Sequence, residues 1–157
     1  EILAERRKFD TSQMQLSTGE VLNRNEVRFL LISAIFEKLA KNGGIEITQA
    51  MKDSKKAEIY GQLGGEQQLP AALVNAQIAP SDFDTYVQSV LISDALVAKA
   101  KAAGISDDQT GKALQQLVLD LTKKEPVKIN PQYGTWDPNN ADLGAFDSAG
   151  TAVKPFN

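Results

Sequence analysis

The residue types that most often perform chemistry in proteins are scarce in this chain of 157 residues. Histidine and cysteine are both absent, which removes the usual general base near neutral pH, the commonest metal ligand and the thiolate nucleophile. The serines and threonines stand in no Gly-x-Ser-x-Gly or Ser-x-x-Lys motif, so the sequence identifies no activating partner for them. We therefore expect no enzyme activity, no cofactor and no metal.

Acidic pairs remain as candidates for acid–base work or for calcium binding. They are Asp82 with Asp84, Asp107 with Asp108, and Asp137 with Asp142. The first two pairs fit the first turn of a helix, where the helix dipole favours carboxylates, and none belongs to an EF-hand loop. The glycine pairs at 43–44 and 64–65 match no phosphate-binding motif and are better explained as helix ends.

The charge balance limits the partners. The formal net charge is −3, and no cluster of lysines is long enough to follow a phosphate backbone, so we expect no nucleic acid partner. No apolar run approaches the roughly 18–20 residues that a membrane-spanning helix needs. The opening residues look like the middle of a helix, so a signal peptide or lipid anchor before Glu1 stays open as the one link to a membrane.

Apolar periodicity and helix punctuation predict five to six helices. They are expected at 2–9, 23–41, 48–62, 66–77, 81–103 and 107–124. Asn23 with Glu26 suggests a capping box for the second helix, and Ser81 is the expected N-cap of the fifth. The Lys-x-x-Gly-Ile pattern that ends at Ile45 recurs at Ile105, which we interpret as shared helix punctuation, not as a duplicated domain.

The predicted fold is a mainly α bundle over residues 1–130, followed by an irregular tail over 131–157. Alternation at 127–130 indicates one short strand. The tail carries scattered aromatic residues, namely Tyr133, Trp136, Phe146 and Phe156. We expect these aromatic side chains to decide whether the tail packs on the helices.

The fifth helix has an apolar stripe too broad to leave in water. Phe83, Tyr86 and Val90 belong to it. These side chains either form ordinary core or present apolar surface to a ligand, and the sequence leaves both readings open.

A family resemblance favours the second reading. The turn 44–48, the polar and short Leu-rich helices after it, and the segment Ile78-Ala79-Pro80-Ser81-Asp82-Phe83 leading to Leu96 resemble the N-terminal chaperone domain of the SurA family over about residues 24–105. Related helices occur in PrsA and trigger factor. Residues 127–137 resemble the closing segment of compact SurA-like secreted lipoproteins. The chain departs from larger members because nothing after Ile105 resembles a parvulin domain, so prolyl isomerase activity is not carried over.

The resemblance implies an extracytoplasmic, ATP-independent protein that binds unfolded or extended polypeptide. Its expected peptide-binding residues are Phe83, Tyr86, Val90, Tyr133 and Trp136. One alternative is a structural or adaptor lipoprotein of the cell envelope whose groove is filled by its own Tyr133 and Trp136. A weaker alternative is the non-catalytic part of a prolyl isomerase, and a homodimer formed by segment exchange also stays open.

Overall fold

Six α-helices and one β-hairpin make up residues 1–144, which are the residues that the computed structural model describes. The helices are α1 (Ile2–Arg6), α2 (Gly19–Asn42), α3 (Gln49–Leu63), α4 (Leu69–Ala76), α5 (Phe83–Ala102) and α6 (Asp107–Lys124). The hairpin pairs β1 (Thr135–Asp137) with β2 (Asp142–Gly144). The predicted mainly α fold is therefore confirmed. Within residues 1–144, no helix is both long enough and apolar enough to cross a membrane.

The two Gly-Ile helix ends have the same geometry, as their shared pattern predicts. Gly44 has φ of +62° and Gly104 has φ of +86°, a left-handed conformation that favours glycine. After each glycine the isoleucine N–H donates back to the helix, from Ile45 to the Ala40 carbonyl at 2.8 Å and from Ile105 to the Ala100 carbonyl at 3.0 Å. These bonds satisfy carbonyls that the helix end would otherwise leave unpaired.

Two helix starts differ from the prediction. Helix α2 begins at Gly19, one turn before the expected box at Asn23, because that turn buries Leu22 in a small cluster with Ile2 and Ala79. Helix α5 begins after a 3-10 turn at Pro80–Asp82. Ser81 does not cap α5, since its N–H and hydroxyl both donate to the carboxylate of Glu1.

Helix α5 lies at the centre of the bundle and packs against α2, α3 and α6. The main core is formed by α2, α5 and α6, through Ile35, Leu39, Ala40, Ile92, Leu96, Val118 and Leu121. A second core joins α4 to α5 through Leu73, Phe83 and Val87, with half-buried side chains of α3 packed against it. Helix α3 has no fully buried residue, which agrees with the thin apolar side of its sequence.

Helices α2 and α5 run in roughly the same direction. Ser33 of α2 contacts Ser89 of α5, and ten residues further along both helices the Lys99 ammonium donates to the Gly43 carbonyl. Contacts that advance together in this way define a parallel pair. Helices α3 and α4 make the crossover between them.

The predicted strand at 127–130 is wrong. That segment lies between the prolines at 126 and 131 and is not a strand. The apolar alternation arises because Val127 and Ile129 are half-buried while the residue after each of them is exposed. The strands lie further on, where Trp136 pairs with Leu143.

The part of the tail from 131 to 144 is ordered against the bundle instead of irregular. It contains a 3-10 turn and the hairpin, and Trp136 packs against the main core. The other predicted docking residues of the tail, Phe146 and Phe156, lie outside the described residues.

Candidate functional site

A groove with a volume of about 530 Å³ runs between α2 and α5. From α2 it is lined by Asn25, Arg28, Phe29, Ile32, Ser33 and Phe36, and from α5 by Tyr86, Ser89, Val90 and Ser93. Its residues on α2 span 25–36, and at 1.5 Å per residue that length is about 16 Å. An extended peptide rises about 3.3 Å per residue, so the groove can hold about five residues of a partner chain.

The groove exists because small side chains line its floor. Ser33 is only 4% exposed, and the Ser89 hydroxyl donates to the Ser33 hydroxyl at 2.9 Å. Ser93 continues the row of small residues on α5. Larger side chains at these positions would fill the space between the helices. The hydroxyl pair also satisfies the polar atoms that the close approach of the helices buries.

The walls of the groove are apolar and only half-buried. They consist of Phe29, Ile32 and Phe36 on one side and Tyr86 and Val90 on the other. The remaining exposed area of these side chains faces a concave site, and concave sites with apolar walls and a few polar groups are typical ligand sites. The arrangement suits an apolar side chain of a partner, with the serine floor below it.

Within residues 1–144, one cation and no carboxylate lie among the groove's lining residues. Arg28 lies on α2 between two faces of that helix. One face lines the groove, and the other packs into the main core through Ile35 and Leu39. The guanidinium Nε of Arg28 pairs with a carboxylate oxygen of Asp142 in β2 at 2.5 Å. Both side chains remain partly exposed, Arg28 at 53% and Asp142 at 42%, so the pair is open to exchange with another anion.

The structure brings together two of the five predicted binding residues. Tyr86 and Val90 line the groove. Phe83 does not, because it is 8% exposed in the second core, with its ring centroid 6.2 Å from that of Tyr60. Tyr133 and Trp136 do not line the groove either, since Trp136 packs on the main core. The expected filling of the groove by these two tail residues is therefore not what the structure shows.

Sequence reasoning missed the half of the groove that α2 provides. Phe29, Ile32 and Phe36 were visible as apolar residues around much of that helix, a pattern that predicts central burial. The available signal was Ser33 within the apolar run from Phe29 to Phe36. A small polar residue at that point indicates close helix contact with space on either side of it.

Two of the acidic residues singled out in the sequence, Asp84 and Asp137, stabilise the fold. The Asp84 carboxylate accepts from the ammonium groups of Lys52 and Lys56, each at 2.7 Å, which ties α3 to α5. The hydrogen bond from Lys52, followed by the one from Lys56, lowers the pKa of Asp84 below its ordinary value. Asp137 accepts the backbone N–H of Asn139 at 2.8 Å in the hairpin turn, and this bond lowers the pKa of Asp137.

Comparison of the chain with family models, with curated proteins and with solved structures finds no match.

Proposed function

We propose that this chain binds extended segments of unfolded polypeptide in the groove between α2 and α5, as an ATP-independent chaperone of the holding type. The observation that carries the proposal is the pair of half-exposed apolar walls, Phe29, Ile32 and Phe36 facing Tyr86 and Val90. Such walls can take up an aromatic or aliphatic side chain from any sequence that presents one.

The size of the groove suits weak, transient binding. An aromatic side chain buries about 150–250 Å², and at about 25 cal/mol per Å² each anchored ring contributes a few kcal/mol. Loss of overall motion and ordering of the peptide oppose this gain. For about five bound residues the balance corresponds to a Kd in the micromolar to millimolar range, which allows a client to leave and fold.

The sequence resemblance to SurA-like chaperone domains supports the same function, and on that resemblance we propose that the protein acts outside the cytoplasm. A role in holding is also consistent with a sequence that lacks histidine and cysteine. The competing role, an envelope adaptor that binds no client, becomes an outcome of the test below.

The test uses a fluorescently labelled, aromatic-rich peptide of about seven residues, long enough to span the groove, and measures binding by fluorescence anisotropy. Suppression of the aggregation of a reduced, unfolded model protein is measured in parallel. The groove variant is Ile32→Ser. Its matched control is Leu30→Ser on the same helix, because Leu30 is 45% exposed and does not line the groove.

We expect Ile32→Ser to weaken peptide binding about tenfold and to reduce aggregation suppression, since it replaces one of the three apolar side chains that form the α2 wall of the groove. Leu30→Ser should leave both unchanged. Wild-type protein that binds no peptide and suppresses no aggregation would exclude the chaperone function and favour the adaptor role. Equal losses in both variants would place the binding surface elsewhere on α2.

A further inference from the structure

We propose that the groove prefers polypeptide segments in which an acidic side chain flanks the apolar residues, and that Asp142 of the hairpin competes with that acid for Arg28. This inference rests on the proposed function and adds to it the charge of the client and a control by the chain itself. Its basis is the position of Arg28, which both lines the groove and pairs with the hairpin.

The charge at the groove is positive although the whole chain has a net charge of −3. In the part of the chain that the structure describes, Arg28 is the one charged residue that lines the groove. A client carboxylate beside the apolar anchor would meet the guanidinium, which binds carboxylates through several parallel N–H groups. A client lysine would find no carboxylate among the lining residues to pair with.

Asp142, which does not line the groove, already forms an ion pair with the Arg28 guanidinium. Its carboxylate lies 2.5 Å from Arg28 Nε, and it reaches α2 because β2 packs along that helix. Exposed pairs of this kind are weak and exchange readily. A client carboxylate can therefore replace Asp142, and while Asp142 stays in place it lowers the apparent affinity for acidic clients.

The experiment compares two labelled, aromatic-rich peptides with blocked ends, identical except that one has Glu at both ends and the other Gln. Blocked ends confine the charge to the side chains. The proteins are the wild type, Arg28→Gln and Asp142→Asn. The matched control is Lys38→Gln, because Lys38 is also on α2 and also pairs with a carboxylate, that of Glu125, away from the groove.

We expect wild type to bind the Glu peptide about threefold more tightly than the Gln peptide at low salt, as is typical of one exposed ion pair. Arg28→Gln should abolish the preference, so that it binds the Glu and Gln peptides with equal affinity. Asp142→Asn should tighten binding of the Glu peptide alone by a further two- to threefold, roughly the range of one such pair. Lys38→Gln should retain the wild-type ratio, and high salt should remove it.

The outcomes separate the two proposals. Binding of both peptides with equal affinity, unchanged in Arg28→Gln and Asp142→Asn, would overturn the charge preference and leave the groove as a neutral polypeptide site. A preference that persists in Arg28→Gln would overturn the role of Arg28. Failure of both peptides to bind any of the four proteins would remove the proposed function, and this inference with it.

Discussion

The hydroxyl groups of Ser33 and Ser89 form a hydrogen bond of 2.9 Å at the floor of the groove. The two partners differ in exposure, since Ser33 is buried and Ser89 is half-buried. A buried polar atom that loses its partner costs more than an exposed one, which water can satisfy. The contribution of this bond to stability is therefore expected to depend on which serine is removed.

We predict that Ser89→Ala lowers the free energy of unfolding by about 1 kcal/mol, because it leaves the Ser33 hydroxyl buried without this partner. Ser33→Ala should cost less, and the double variant should cost less than the sum of the two. Urea unfolding of the four proteins measures the cycle. Additive effects would show that the two hydroxyls do not stabilise each other.

A second prediction concerns Gln77, which joins α1 to the bundle. Its side-chain carbonyl accepts from Ser17 N–H at 2.7 Å and from Arg6 Nη2 at 3.2 Å. Its backbone has φ of +59°, which favours glycine.

Gln77→Ala should destabilise the protein by about 2 kcal/mol, because two donors lose their acceptor. Gln77→Gly loses the same bonds but relieves the backbone, so it should be more stable than Gln77→Ala by about 1 kcal/mol. Thermal unfolding measures both, and hydrogen exchange in α1 reports its release. The opposite order of stability would mean that the left-handed conformation at residue 77 is not retained.

The pairing of Asp84 with Lys52 and Lys56 predicts a pH dependence. The pKa of Asp84 is lowered by these lysines in the folded state, so the pairing stabilises the protein above the ordinary aspartate pKa and is lost as the pH falls through the lowered one. Asp84 is 48% exposed, and solvent screening limits the contribution to about 0.5–1 kcal/mol.

Asp84→Asn should therefore be less stable than wild type at neutral pH by about that amount, with the difference vanishing as the pH falls through the lowered pKa of Asp84. Asp94→Asn is the control, since Asp94 is 62% exposed and has one lysine contact, at 3.5 Å. Urea unfolding of the wild type and both variants, from neutral to acidic pH, makes the comparison. A difference between wild type and Asp84→Asn that is independent of pH would exclude the ion pairs as its cause.

The position of Gly134 predicts that adding a side chain there destabilises the hairpin. Its φ is +132°, and a Cβ there would lie 2.2 Å from the Gly144 carbonyl oxygen. Gly134→Ala should destabilise the hairpin by about 1–3 kcal/mol and shift the fluorescence of Trp136, the chain's one tryptophan, to longer wavelength. Gly64→Ala is the control, because Gly64 has φ of +83° with nothing near its Cβ position. An unshifted Trp136 emission in Gly134→Ala would contradict the prediction.

The helices were predictable from sequence because their signals are local. The ends at Gly44 and Gly104 follow from glycine's tolerance of positive φ, and the start of α3 follows from Thr48, whose hydroxyl accepts the Met51 N–H. The start of α2 was not predictable in this way. It depends on Leu22 packing against Ile2 and Ala79, a contact between distant parts of the chain.

Only the α5 wall of the groove was predictable from the sequence, because only that wall follows from a local pattern. Tyr86 and Val90 lie on a stripe that periodicity reveals, but the stripe does not say which of its members is buried. Phe83 entered the second core because α4 brings Leu73 against it. The other wall, on α2, depends on the parallel pairing of two helices that are not neighbours in sequence, and no local pattern encodes that pairing.

The hydrogen bond between Ser33 and Ser89 spans 56 residues, and this separation has a consequence for folding kinetics. Contacts between distant segments carry a loop-closure entropy that local helical contacts do not. A chain that has formed its separate helices has both walls of the groove but has not yet brought them together. The groove between α2 and α5 therefore exists only once this long-range contact has formed, so the proposed peptide binding should report the packing of the two helices and not the formation of each helix.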